Sequence, residues 1–167
     1  MKQLSKLSCV TALIITATAA AATAATAAGP AATQQVDGVI VVAGNTCTWS
    51  NARTSANPPT ALTIDRTSIN TPGGNLSCTG GITATLNNNP AATFDDAAGR
   101  ATADAIDITV KMSGISCRYK ATGVQWNRDG DTRKYLNQAF TAAKTSGLFL
   151  CPGSVTIAAG DASLLFH

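Results

Sequence analysis

Cysteine, aspartate and histidine carry most of the reactive chemistry open to this chain, which has five Cys, nine Asp, no Glu and one His. Nucleophilic catalysis by a hydroxyl or thiol needs a histidine base, and the single histidine is the last residue, His167. Paired carboxylates could do acid–base work on a glycosidic bond. The candidates are Asp95 with Asp96, Asp129 with Asp131, and Asp104 with Asp107. Asp95-Asp96 precedes Ala97-Ala98-Gly99 and Asp129-Gly130-Asp131 reads as a turn, so solvent-facing turns are expected for these four. Asn127-Arg128-Asp129-Gly130-Asp131 resembles half a calcium loop, but Arg128 intrudes and no bidentate Glu follows. No catalytic residue, metal or cofactor is assigned. Trp126 and Tyr135 are the candidate ligand-contacting aromatics, as a stacking platform for a sugar.

Four of the cysteines fall at matched positions. Ile40–Trp49 aligns with Val110–Tyr119, placing Cys47 beside Cys117 and Trp49 beside Tyr119. Leu76–Thr83 aligns with Phe149–Thr156, placing Cys78 beside Cys151. Zinc would want close C-x2-C pairs, whereas no two of these four lie closer than 31 residues. Two disulfides are expected instead. Three connectivities are open, and locality favours Cys47–Cys78 with Cys117–Cys151. The matched Trp49 and Tyr119 suggest rings packed against the bridges.

Such bridges need an oxidising compartment, and the N-terminus reads accordingly. Lys2 and Lys6 precede an apolar stretch from Leu7 to Ile15, and Ala25-Thr26-Ala27 gives a small-x-small exit. Residues 1–28 are expected to be a signal peptide, 29–35 a loose start, and 36–167 one domain with pseudo-repeats 36–105 and 106–167. The Leu7–Ile15 run is much shorter than the ~20 apolar residues of a spanning helix, so no stable membrane insertion is expected after cleavage. Twelve Lys/Arg against nine Asp give +3, and losing Lys2 and Lys6 leaves +1. That balance argues against a nucleic-acid partner.

The elements that must position these residues are short strands. Ile106, Ile108, Val110 and Met112 alternate with Asp107, Thr109 and Lys111, and Ile115, Cys117, Tyr119 and Ala121 repeat the pattern beyond Gly114. Asp129-Gly130 predicts a two-residue hairpin turn, with Trp126 opposite Arg133 and Val124 opposite Tyr135. Leu136–Lys144 offers at most a short, poor helix. Turn signals every 8–12 residues point to an all-β chain, specifically an antiparallel β-sandwich, Ig-like or Greek-key, built from an internal duplication.

Through Ile115–Val124 and Phe149–Val155 the chain resembles small secreted two-disulfide β proteins of actinobacteria that have no assigned function. It is similar more loosely to the Streptomyces subtilisin inhibitors, which are exported, carry two disulfides and end in an apolar Phe-containing strand. The cysteine spacing and central helix of those inhibitors are missing here. The reading that results is a secreted, non-enzymatic β domain with a structural or binding role toward a protein or glycan outside the cell. The alternatives are a protease inhibitor presenting residues 51–59 or 95–102, and a carbohydrate-binding or Asp-dependent glycan hydrolase domain.

Overall fold

The computed structural model describes residues 34–42, 44–70 and 73–167. The expected signal peptide, and most of the loose segment after it, lie outside the described residues. Gln34 and Gln35 are already ordered, since β1 (Gln35–Val42) begins there and the Thr54 N–H donates to the Gln34 carbonyl. Among the described residues no helix is long and apolar enough to cross a membrane.

The chain is all-β and antiparallel. β2 spans Asn45–Arg53, β3 Leu62–Thr63, β4 Asn75–Cys78, β5 Thr83–Leu86 and β6 Ala91–Asp95. The two longest strands follow, β7 (Arg100–Met112) and β8 (Ile115–Arg128), and then β9 (Lys134–Asn137), β10 (Phe140–Gly147), β11 (Ser154–Ile157) and β12 (Ala162–Phe166). Pairing runs β8-β9-β12-β1-β2-β4-β5-β7, and β7 pairs back onto β8, closing eight strands into a barrel. This corrects the expected sandwich. Closure leaves no free edge around the ring. β10 and β11 extend from β8 outside it, and β6 and β3 extend from β7.

The two central hairpins match in register. Ile40 faces Cys47 and Val42 faces Asn45, as Val110 faces Cys117 and Met112 faces Ile115. Gly44 and Gly114 take positive φ in the two turns, 75° and 80°, where a residue with a side chain would be strained. The match extends to strand order, β1-β2-β4-β5 against β7-β8-β10-β11. It ends at the second cysteines. Cys78 sits on β4 directly opposite Cys47, whereas Gly147 takes that place opposite Cys117 and Cys151 lies beyond β10. Trp49 and Tyr119 fall on equivalent sites, opposite Gly38 and Ile108. The Trp49 indole lies over Gly38, where any Cβ would collide with the ring.

One core fills the barrel. Phe94, Tyr135 and Phe166 meet edge to face with centroids 5.4–5.8 Å apart, an arrangement that suits the ring quadrupoles. Trp126, Val124, Ala101 and Ala103 pack beside them. β7 and β8 keep one register throughout, yet their inward sets change parity near Gly123, which takes φ 61°. Ala101, Ala103, Val124 and Trp126 pack into one part of the core, whereas Ile108, Tyr119 and Ala121 line a second space, and Ile106 borders both.

Two local expectations fail. The segment expected to be a poor helix is β9 and the start of β10, joined at Gln138. The hairpin after Arg128 has a five-residue loop, so Trp126 faces Asn137 and Arg128 faces Tyr135. The Thr132 N–H and hydroxyl both donate to the Asp129 carbonyl, and the Lys134 N–H donates to Thr132 Oγ1. Those bonds build a wider turn than Asp-Gly alone would make. The shift brings Asn137, 2% exposed, to where its amide donates to the Ala158 carbonyl and accepts from the Ala162 N–H, clipping the β11–β12 connection to β9.

Candidate functional site

β8 changes partners along its length. Its C-terminal end pairs β9, at Trp126–Arg128, and its N-terminal half pairs β10, at Cys117–Lys120. A sheet that forks this way cannot close at both levels, and the fork leaves an apolar cleft of about 210 Å3. Its floor is the matched face of β7 and β8, where Ile108 faces Tyr119 and Val110 faces Cys117. Ile40 and Val42 of β1 wall one side, with Ile82 from the approach to β5. Phe140 and Ala142 of β10, and Val155 and Ile157 of β11, wall the other. Asn45 is the single side chain with a polar end among the aliphatic and aromatic lining residues, apart from the Tyr119 hydroxyl. Met112 and Leu150 stand on the rim, 56% and 58% exposed.

Both disulfides form with the pairing that locality favoured, Cys47–Cys78 and Cys117–Cys151. The second serves the cleft. Cys117 is part of the floor, and its bridge to Cys151 fixes Leu150 and Pro152 at the rim. Gly147 and Cys151 are close enough that a Cβ at 147 would press on the Cys151 sulfur and the Ser116 carbonyl. Lys144 Nζ donates to the Cys151 carbonyl at 3.1 Å, which holds the same loop from β10.

Behind the floor, on the opposite face of β7 and β8, Asp107 receives two hydrogen bonds from Arg118, from Nε and Nη2, both at 2.7 Å. Asn87 Nδ2 donates a third at 2.9 Å. The Arg118 hydrogen bonds hold the Asp107 carboxyl below its ordinary value of 3.8, against the opposing effect of burial. A depressed carboxylate stabilises the fold above its unfolded pKa, and that contribution is lost as pH falls through the folded value. Urea midpoints are therefore expected to decline below about pH 4, and Asp107→Asn is expected to lower the neutral-pH midpoint while flattening that decline. An unchanged acid limb in Asp107→Asn would remove Asp107 from this role.

The residues singled out in the sequence lie elsewhere. Trp126 and Tyr135 are core residues, 4% and 3% exposed. A stacking platform needs a ring face open to solvent, and both rings instead pack in the core beside Phe94 and Phe166. Asp95, Asp96, Asp129 and Asp131 are exposed on the 96–99 turn and the 129–133 loop. Asp96 pairs with Arg128 at 2.6 Å, and Asp95 accepts from the Ala98 N–H. Asp104 caps the Ala91 N–H. His167 is tied down rather than frayed, with Nε2 3.1 Å from Asp37 and its N–H on the Gln35 carbonyl. Among the described residues no group of three His, Cys, Asp or Glu could hold a metal. The two loops considered for gripping a protease are tied to their neighbours by backbone pairing. Residues 95–102 are a tight hairpin with Asp95 facing Arg100, and residues 51–59 are held by Thr54 bridging Ile64 and by the Ser55 N–H on Thr63.

The cleft itself was not singled out, although the two apolar faces forming its floor were read correctly. Alternation reports that a face is apolar, and it does so equally for a core and for an open cleft. With the geometry established, comparison with family models, curated proteins and solved structures gives no match to this chain.

Proposed function

We propose that this is an exported, non-enzymatic binding domain whose cleft holds a single hydrocarbon chain, such as the acyl chain of a fatty acid. The observation that carries the reading is the cleft's apolar lining beside an already filled core. Half-buried Ile40, Ile108, Val110 and Val155 gain by burial, at ~25 cal/mol per Å2 of apolar surface covered. About 210 Å3 exceeds the ~150 Å3 at which an apolar protein cavity stays dry and accepts benzene. Its lining runs along β7 from Ile106 to Met112 and along β8 from Ile115 to Ala121, a course that suits a chain better than a compact ring. Two disulfides fit an oxidising compartment, in keeping with secretion. A sugar would leave its hydroxyls unpaired against this lining.

Titration with a fluorescent fatty acid tests the reading. Saturable one-to-one binding with a blue-shifted emission, competed by an unlabelled fatty acid, is expected. Emission that rises without saturating, or that ignores the competitor, would contradict it.

A further inference from the structure

We infer that the end of the barrel bearing the β7–β8 turn docks on an anionic phospholipid surface, which extends the acyl-chain reading of the cleft beside it. Antiparallel pairing brings four connections to this end: the one through Gly44, and those at 79–82, 113–114 and 148–153. Four of the five exposed large apolar side chains among the described residues are here. Phe149 is 89% exposed, Leu150 58%, Leu148 57% and Met112 56%; the fifth, Leu165, lies on β12. A soluble monomer rarely clusters exposed apolar groups of this size without a partner.

Charge identifies the partner. The segments forming this end, residues 38–50, 75–86, 108–120 and 143–156, contain Lys111, Arg118, Lys120 and Lys144 and no acidic residue. All nine aspartates lie outside them. Arg118 is paired with Asp107 and Lys120 lies directly opposite the same carboxylate, whereas Lys111 is exposed and Lys144 donates to the Cys151 carbonyl. An apolar tip beside unneutralised lysines is the combination that binds an anionic bilayer, with rings entering the acyl boundary and ammonium groups meeting the headgroups. The Cys117–Cys151 bridge and the Lys144 contact hold the tip in place. Leu150 and Met112 belong to both tip and cleft rim, so a docked barrel opens its cleft toward the lipid.

Co-sedimentation of the full domain with vesicles tests this, using phosphatidylglycerol mixed with phosphatidylcholine against phosphatidylcholine alone. The protein is expected to pellet with the anionic vesicles, less so with neutral ones, and less again at high salt. The double variant Leu148→Ser, Phe149→Ser is expected to lose about tenfold or more in vesicle affinity. Neither side chain lines the cleft, so fatty-acid binding by that variant should be unchanged. Lys111→Glu should weaken anionic binding alone. Wild-type protein that stays in the supernatant, or a double variant that pellets like wild type, overturns the inference. So does self-association that the double variant dissolves without any vesicle binding, which would assign the tip to a second copy. Vesicle docking without saturable fatty-acid binding would sustain the tip and remove the acyl-chain reading of the cleft.

Discussion

Replacing both members of either disulfide by alanine is expected to cost about 3–4 kcal/mol, and removing both bridges about 7 kcal/mol. The bridges close loops of 31 and 34 residues, and constraint of the unfolded chain at that length gives about 3.7 kcal/mol each. A domain of this size is stable by only ~5–15 kcal/mol. One lost bridge should lower Tm by roughly 10–15 °C, and loss of both should leave a largely unfolded chain near body temperature. The bridges are separate in their local effects. Cys47 and Cys78 join directly paired strands of the ring, whereas Cys117 and Cys151 join the ring to a loop outside it. Removing the second should therefore also raise amide exchange across residues 148–153 while β1 to β5 keep their protection. Calorimetry and hydrogen exchange measure both effects. A single-bridge variant that melts with the wild type would show that the barrel does not depend on its cross-links.

A carboxylate in the cleft floor should abolish ligand binding while sparing the fold. Ile108 is half-buried and lies between Leu86 and Tyr119 across its two neighbouring strands. In Ile108→Asp the charge stays hydrated while the cleft is open, and a bound hydrocarbon chain would have to strip that water. An unpaired charge costs several kcal/mol to cover, so affinity should fall about 100-fold or more. Ile108→Val removes one methylene, worth about 0.8 kcal/mol, and should weaken binding only about fourfold. Near-ultraviolet circular dichroism would establish that both variants keep the packed core. Equal affinities in the two variants would place the ligand elsewhere.

The features legible in the sequence are those fixed locally. The hairpins at 42–45 and 112–115, their matched cysteines, and the alternating faces of β7 and β8 follow from period-two patterning and from glycines at positive φ. Both disulfides follow from locality. Barrel closure was not legible, because it depends on β12 pairing with β1 and β9 across long separations, and no short pattern specifies those partners. The same fork of β8 explains the other differences. Phe140–Gly147 had to become a strand to satisfy the edge that β9 leaves, and this tertiary demand overrides the weak local preference of its Thr- and Ala-rich sequence. Trp126 and Tyr135 looked like platform residues because a buried and an exposed aromatic are identical in sequence. Their burial follows from tertiary pairing, which brings Phe94 of β6 and Phe166 of β12 against them.

An apolar chain is expected to bind in the cleft between β1 and β11, floored by β7 and β8. Methyl-resolved NMR during titration with a fatty acid separates the cleft from the filled core, because apart from Ile106 they carry different methyl groups. Shifts are expected at Ile40, Val42, Ile108, Val110, Val155 and Ile157, with Ile64, Val124 and Leu164 of the filled core unmoved. Saturating shifts confined to the core, or no shift at any cleft methyl, would contradict it.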